Sequence, residues 1–355
     1  MRVLLAGGGS GGSATPVLAV AQALRRLEPT VELLYVGTRD GPEATLAAAQ
    51  GIPFHGVHAG KLRRYWDARN LSDPLRVVQG IGESYALVRR FQPRAAMAAG
   101  GFGAVPPMVA ARAFGARTLI HQQDVVPGLA NRLLIPFARE ITVSLSSSLA
   151  HFPRKRTRVT GNPVRAEIFN ADPAVAHARL HLEPEVPLVV ATGGGTGALG
   201  LNRLVAAAAP RLVERAQIVH LTGSGRGVPS ETDSPRYRAI EFLVDEMPHL
   251  LAAATLVISR AGMGTLTELA TLGKPTLVVP MPDSHQSANA RAFARLGAIE
   301  TAEQAALTPE RLSQRVLSLL DDGPRREVLA RSLSHSMPTN AAERIALALL
   351  EPPVQ

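Results

Sequence analysis

Val3-Leu4-Leu5-Ala6 runs into Gly7-Gly8-Gly9-Ser10-Gly11-Gly12, and Leu188-Val189-Val190-Ala191 runs, after Thr192, into Gly193-Gly194-Gly195-Thr196-Gly197. Each stretch reads as a strand that is apolar on both faces, then a glycine turn, then a helix. That order presents backbone N–H groups to a phosphate. One such turn also serves any tight strand-to-helix connection. Two of them, in the two halves of the chain, point to two similar nucleotide-type domains facing one cleft.

Outward from these stretches, strand and helix alternate. In the first half the pattern predicts strands at 2–6, 31–36, 95–98, 118–120 and 140–143, and helices at 16–27, 42–50 and 73–91. Pro16 is placed in the first helical turn, where a missing N–H is tolerated. Thr160-Gly161-Asn162-Pro163-Val164-Arg165 breaks the alternation and marks the linker. The second half predicts strands at 187–192, 216–221, 238–242, 255–259 and 276–280. Its helices fall at 200–209, 246–254, 264–272, 286–296, 309–321 and 323–334, with a last helix at 341–350. This is an α/β chain with parallel sheets covered on both faces.

The 355 residues suit two such domains, and 46% hydrophobic residues fill their cores. The absence of cysteine excludes disulfides, thiolate metal sites and cysteine nucleophiles. No uncharged apolar run reaches the ~18 residues of a transmembrane helix. The first residues enter a strand directly, so a soluble cytoplasmic protein is expected. Lys and Arg exceed Asp and Glu, 38 to 29, for a net charge of +9, which implies an anionic partner. Only 4% of residues are aromatic, too few for the stacking by which RNA is read, so nucleic acid is not expected.

Ser259-Arg260-Ala261-Gly262-Met263-Gly264-Thr265-Leu266-Thr267-Glu268 follows another apolar strand. Its small residues let a diphosphate approach a helix N-terminus, and Glu268, one turn in, suits a ribose diol. His285, Gln286 and Asn289 follow the next strand, at the same sheet edge, where Gln286 suits sugar hydroxyls. In the first half, Gly100-Gly101-Phe102-Gly103, His121-Gln122-Gln123-Asp124 and Lys61-Leu62-Arg63-Arg64-Tyr65 each follow a strand, beside the first glycine turn. Glycine N–H groups with Lys61 and Arg64 nearby suit a second anionic ligand such as a lipid diphosphate. Leu75, Val78, Ile81 and Tyr85 lie at helical spacing near Arg63, Arg64, Arg69 and Arg76. The stripe either faces the core or meets anionic lipid.

These motifs, in this order and over nearly the whole chain, resemble the MurG family, the peripheral-membrane N-acetylglucosaminyltransferases that convert lipid I to lipid II in peptidoglycan synthesis. The matching segments are Gly7–Gly12 with Pro16, Gly100-Gly101-Phe102, His121–Asp124, Gly161–Arg165, Gly193–Ala198 with Asn202, Arg260–Glu268, and His285-Gln286 with Asn289-Ala290. The resemblance implies a GT-B fold with two Rossmann-like domains facing an interdomain cleft. An acceptor and membrane domain would span 1–160 and a UDP-GlcNAc domain 161–336, with 337–355 as a helix packing back on the first. It further implies that Leu243 or Val244 lines the uracil. Met263, Gly264 and Thr265 would surround the diphosphate, Gly195, Thr196, Leu266 and Thr267 would be further donor-binding residues, and Glu268 would hold the ribose. Arg165 would reach the donor from the linker, and Gln286 would bind the GlcNAc hydroxyls. Ser10, Gly11, Gly12 and Asp124 would touch the donor sugar. Gly9, Lys61, Arg64, Gly101 and Phe102 would hold the acceptor diphosphate. The expected partners are UDP-GlcNAc, lipid I and the anionic lipids of the cytoplasmic membrane face, without a cofactor.

The chain departs from the family pattern near the chemistry. The family's first loop usually runs into a histidine proposed as general base, and here Ser13 stands there; a hydroxyl does not accept a proton at neutral pH as imidazole does. The usual HEQN sequence is His121-Gln122-Gln123-Asp124, and the second loop has Gly195 where serine is frequent. The paired change makes Ser13 and Asp124 the catalytic positions of interest, with Asp124 taking the base role. Two alternatives follow: a related UDP-sugar transferase with another lipid acceptor, and a catalytically impaired nucleotide-sugar-binding homologue. An NAD-dependent dehydrogenase is disfavoured, because the first loop lacks the dinucleotide fingerprint spacing.

Overall fold

Val3, Leu4, Leu5 and Ala6 are fully buried, as a central strand of a parallel sheet must be when helices cover both faces. They belong to β1 (Arg2–Ala6) of a computed structural model that describes residues 1–9, 11–59, 69–195 and 197–351. Side chains are not described at Gly11 or over 69–77. Ser10, Lys61, Arg64 and Thr196 therefore lie outside the described residues, as do the side chains of Leu75, Arg69 and Arg76. The chain divides into one unit of Met1–Arg165 with Pro338–Gln355, and a second of Ala166–Met337.

In the first unit the strands are β1, β2 (Glu32–Thr38), β3 (Phe54–Val57), β4 (Ala95–Ala98), β5 (Arg117–Gln122), β6 (Glu140–Val143) and β7 (Thr157–Val159). They form one parallel sheet in the order β3-β2-β1-β4-β5-β6-β7. Leu5 stands opposite Tyr35 on one side and Met97 on the other. The helices are α1 (Gly11–Leu27), α2 (Glu43–Ala49), α3 (Arg69–Phe91), α4 (Val105–Ala113) and α5 (Leu129–Leu134). In the second unit β8 (Leu188–Thr192), β9 (Gln217–Leu221), β10 (Tyr237–Ile240), β11 (Leu256–Ser259), β12 (Thr276–Val278) and β13 (Glu300–Thr301) pair in the order β10-β9-β8-β11-β12-β13. Its helices are α6 (Pro173–Arg179), α7 (Leu199–Leu212), α8 (Met247–Ala253), α9 (Met263–Leu272), α10 (Gln286–Arg295), α11 (Pro309–Asp321) and α12 (Gly323–Ser334). The last helix, α13 (Ala341–Leu350), lies in the first unit.

Alternation along β1 sorts its side chains onto two cores. Val3 and Leu5 meet Val17 and Leu24 of α1 and Ile345 and Leu349 of α13; Leu4 and Ala6 meet Met108 of α4 and Ile120 of β5. In the second unit Val189, Ala191 and Ile258 pack against Val205 of α7 and Val316 of α11. Buried Arg117 bonds Glu140 at 2.9 Å and reaches Glu351, at the end of α13, at 3.0 Å. Burial opposes the Arg117 charge, but the bonds to Glu140 and Glu351 outweigh it and raise its pKa. A cation at a helix C-terminus also favours the helix dipole.

The structure corrects the start of α1 and refines two further readings. Helix α1 begins at Gly11, so Gly12 and Ser13 are helical and Pro16 lies in the helix interior. Pro16 has no N–H for the Gly12 carbonyl, and Gln123 Nε2 donates to that oxygen instead, at 3.0 Å. Of the stripe on α3, Val78 and Tyr85 are exposed and Ile81 is half-buried, and the buried positions among the described residues of this stretch are Gly80, Ser84 and Val88. The unit boundary falls after Arg165, at the end of the 160–165 stretch that the sequence marks as the linker. The Asn162 side chain bonds His121, and Gly161 lies so close to Pro338 that a Cβ there would stand 2.2 Å from its carbonyl oxygen.

Candidate functional site

In each sheet the chain turns to opposite sides after its first strand and after the strand beside it, so the site-forming loops meet at the C-terminal edge. In the second unit these loops follow β8 and β11. The glycines after β8 divide by environment. A Cβ on Gly193 would stand 2.5 Å from Ala198 N, and one on Gly197 2.3 Å from Thr222 O; Gly194 and Gly195 have nothing within 4 Å. The first pair permits the close turn, and the second leaves its backbone open to a ligand. Gly262 and Gly264, at the start of α9, likewise meet nothing within 4 Å, and no side chain caps this helix. Its first-turn N–H groups and dipole suit an anion.

Helical geometry then sorts the residues expected around the donor. Gly264, Thr265 and Glu268 share the solvent-accessible face of α9. Met263, Leu266 and Thr267 are buried, and Thr267 Oγ1 donates to Met263 O at 2.7 Å. Leu266 and Thr267 thus support the helix from within rather than face a ligand. After β10, Leu243 is half-buried and Val244 exposed. Gln286 Oε1 accepts from Met281 N at 3.1 Å, which folds the loop after β12 onto its helix. Arg165 is half-buried at the end of the first unit.

Polar side chains hold these loops. Buried Asn202 donates from Nδ2 to Thr222 O (2.8 Å) and Arg226 O (2.9 Å), so its Oδ1 accepts from His220 Nε2 at 3.2 Å. His220 Nδ1 then accepts from the Tyr237 hydroxyl at 2.8 Å. Burial pushes His220 down to about 4 and Tyr237 up to about 12, so both are neutral. Asn289 Nδ2 donates to Ala261 O at 3.0 Å. Arg260 is buried; it donates to Val279 O, Pro280 O and Gln304 Oε1, and burial lowers its pKa. Sequence reasoning placed Arg260 in a ligand motif; the structure gives its guanidinium to the loop after β12.

In the first unit the edge is formed by the turn after β1, Gly100-Gly101-Phe102 after β4, and His121–Asp124 at the end of β5. A Cβ on Gly101, whose φ is +84°, would stand 2.1 Å from Gly8 O, so these two glycine turns lie in contact. His121 is fully buried between Thr142 Oγ1 (2.9 Å) and Asn162 Oδ1 (2.9 Å), and burial pushes it down to about 4. Gln122 Nε2 bonds Asp124 O, and Gln123 Nε2 bonds Gly12 O and Ala99 O. Asp124 is half-buried, while Ser13 is only 7% exposed. The Gly9 N–H is engaged by Glu43 Oε1 at 3.1 Å, a contact sequence reasoning missed. Among the described residues, no group of three or more His, Asp or Glu is placed to hold a metal, and no helix is long and apolar enough to cross a membrane.

Residues 3–143 match the glycosyltransferase family 28 N-terminal domain and residues 188–345 its C-terminal domain. The chain is 36% identical over 352 residues to the UDP-N-acetylglucosamine–N-acetylmuramyl-(pentapeptide) pyrophosphoryl-undecaprenol N-acetylglucosamine transferase of Desulforudis audaxviator, covering 95% of this chain and 94% of that one. The chain belongs to the MurG family. The MurG-type transferase of Lachnoclostridium phytofermentans is 36% identical over 325 residues, covering 90% and 91% of the two chains. The crystal structure of Acinetobacter baumannii MurG superposes with a TM-score of 0.75 at 25% identity, covering 98% of each chain. The fold is that of GT-B glycosyltransferases, with one Rossmann-like sheet in each half of the chain.

Proposed function

We infer that this chain transfers GlcNAc from UDP-GlcNAc to the MurNAc 4-hydroxyl of lipid I, giving lipid II. The observation that carries the reading is similarity to transferases of that name along 95% of the chain. In the reaction the 4-hydroxyl oxygen attacks the GlcNAc anomeric carbon, the bond from that carbon to the diphosphate breaks, and UDP leaves with the electron pair. The anomeric configuration inverts from α to β.

The donor reading places the diphosphate at the N–H groups of Gly264 and Thr265, with Gly195, Thr196 and Arg165 as further contacts. These fixed donors stabilise the charge that develops on UDP. Glu268 takes the ribose, Leu243 or Val244 the uracil, and Gln286 the GlcNAc hydroxyls. Support comes from the open glycines at the α9 start and from the shared face of Gly264, Thr265 and Glu268. The acceptor reading places the lipid I diphosphate at the glycine turns of the first unit, with Gly101, Phe102, Lys61 and Arg64. Asp124 receives the proton of the 4-hydroxyl. Burial of Ser13 supports assigning that role to Asp124 rather than to the serine.

The protein works at the cytoplasmic face of the membrane as a peripheral protein. Val78, Tyr85 and Arg89 lie seven and four residues apart on one exposed face of α3, and the Tyr85 ring packs at a tilt of 50° against exposed Phe114, 4.4 Å between ring centroids. Apolar and basic groups together suit anionic lipid.

The test is UDP release from UDP-GlcNAc with and without a short-chain lipid I analogue, for this chain and its Ser13→His and Asp124→Asn variants. Release that depends on the analogue is expected from the unaltered chain. Asp124→Asn should slow it by ~10²–10⁴-fold, the range of general-base catalysis. Turnover by Ser13→His alone would instead leave a donor-binding homologue that has lost its base.

A further inference from the structure

Glu43 is the first residue of α2 and is fully buried. Its Oε1 accepts three hydrogen bonds: Gly9 N at 3.1 Å, Thr38 N at 3.0 Å and Thr38 Oγ1 at 2.5 Å. Its Oε2 has no hydrogen-bond partner among the described residues, and neither has the buried Tyr35 hydroxyl. Burial, and then the Glu43 charge, raise the Tyr35 pKa.

The surrounding backbone is shaped to this carboxyl group. A Cβ on Gly8 would stand 2.7 Å from Glu43 Oε1, one on Gly37 2.7 Å from its Cγ, and one on Gly41 2.2 Å from its Oε2. Three glycines therefore stand where any side chain would displace Glu43. Gly8 in turn bears the close approach of Gly101. The carboxylate thus lies beneath the turn after β1 while the turn after β4 lies against it.

An acid in the first turn of a helix is ordinary, because it favours the helix dipole. That function needs neither complete burial nor a bond to Gly9, 34 residues away. A carboxyl removed from water is costly, and the same space filled with carbon would suit a core better. A glycine-rich turn has no side chains with which to fix its own shape. Here Glu43 fixes it from below, by ordering Gly9 relative to Thr38.

We propose that Glu43 is a positioning residue that latches the first glycine turn, through the Gly9 N–H, in the shape that receives the acceptor diphosphate. The proposal rests on the reading of this edge as the acceptor side. It also means that the Gly9 amide serves the latch and does not bind phosphate.

The experiment measures three quantities on the full chain and on Glu43→Ala and Glu43→Gln. They are amide hydrogen exchange over residues 5–14, KM for a short-chain lipid I analogue, and UDP-GlcNAc affinity by calorimetry. Glu43→Ala should speed exchange and raise the acceptor KM, each by about ten-fold, the worth of one charge-assisted hydrogen bond. UDP-GlcNAc affinity should stay within about two-fold. Glu43→Gln keeps the accepting oxygen and should hold KM within about three-fold of the unaltered chain. Should alanine fail to fold, Glu43→Asp withdraws the carboxylate by one methylene and should give the same split. A merely structural residue would lower the active fraction, and so kcat, without moving KM. Unchanged exchange and unchanged KM would overturn the latch. Faster exchange with unchanged acceptor KM would keep the latch and refute the acceptor placement. An equal loss of donor affinity would refute the acceptor-specific role.

Discussion

Lowering the pH from 7 to 5 should weaken the first unit through one residue, His121. Folded, its ring is enclosed between Thr142 and Asn162, and burial holds its pKa at about 4 against an ordinary 6.5. Because its pKa falls on folding, the contribution is complete above pH 6.5 and is lost as pH drops toward 4; below that both states are protonated. Between pH 7 and 5 the unfolded chain takes up a proton that the folded chain refuses, which costs about 2 kcal/mol, or roughly 20-fold in the opening equilibrium. His121→Gln cannot titrate. It should be less stable than the unaltered chain at pH 7, and the gap should shrink by that amount at pH 5. Hydrogen exchange of peptides from β4, β5 and β6 reads the opening of this unit, and comparing the two chains at one pH cancels intrinsic exchange rates. Peptides from β8 and β11, in the other unit, serve as the control. A gap that stays constant from pH 7 to 5 would refute the neutral, enclosed imidazole.

Four further outcomes are expected. Glu268→Ala should weaken UDP-GlcNAc binding by roughly 1–3 kcal/mol, the loss of hydrogen bonds to a charged group, with calorimetry as the check. Leu5→Ala should cost about 2–5 kcal/mol in urea unfolding, because a fully buried side chain leaves a cavity between β1, α1 and α13. Arg117→Ala should cost about 3 kcal/mol by leaving buried Glu140 without its near partner, whereas Glu351→Ala, whose carboxylate is exposed, should cost under about 1 kcal/mol. Replacing Val78 and Tyr85 by serine should reduce sedimentation with anionic vesicles and leave UDP-GlcNAc affinity unchanged.

Most strands were legible because parallel strands covered on both faces leave unbroken apolar runs, as in Ala95–Ala98 and Leu188–Thr192. β3, β7 and β13 escaped the reading: His55 and Gly56 interrupt the first, Arg158 the second, and the third has only two residues. The start of α1 was hidden for another reason. Gly11 and Gly12 have poor helix propensity, so the sequence places the helix start at Pro16. Tertiary structure supplies what the local sequence lacks: Gln123, more than a hundred residues away, bonds the carbonyl that Pro16 leaves without a donor. The glycine turns themselves could be read, but not the division of labour within them. Gly193 and Gly194 are alike in sequence, yet only the first is held against neighbouring backbone. Glu43 reads locally as an acid at the start of a short helix; pairing of β1 with β2 brings Thr38 and Gly9 to it.

Both units therefore solve one problem in the same way. Transition-state charge is best met by dipoles already fixed in place, but the residue that gives backbone access, glycine, also gives mobility. In the second unit Asn202 holds the turn after β9, Asn289 the turn after β11, and Arg260 the end of β12. In the first, Glu43 holds Gly9 and Gln123 holds Gly12 to Ala99. The side chains that hold the turns come from neighbouring elements and are themselves largely enclosed. This also bears on the altered His121-Gln122-Gln123-Asp124 segment. His121 is buried and neutral, Gln122 binds the backbone of its own loop, and Gln123 binds the carbonyls of Gly12 and Ala99. The first three side chains serve as supports. The fourth residue, Asp124, is the half-exposed carboxylate of the segment, at the position where the resemblance leads one to expect an amide. An amide there can only orient a substrate, whereas a carboxylate can also accept its proton. The proposed base role of Asp124 rests on this chemistry: set against the pattern of the resemblance, a serine in place of an imidazole at position 13 and a carboxylate in place of an amide at position 124 are complementary, on one edge of one sheet.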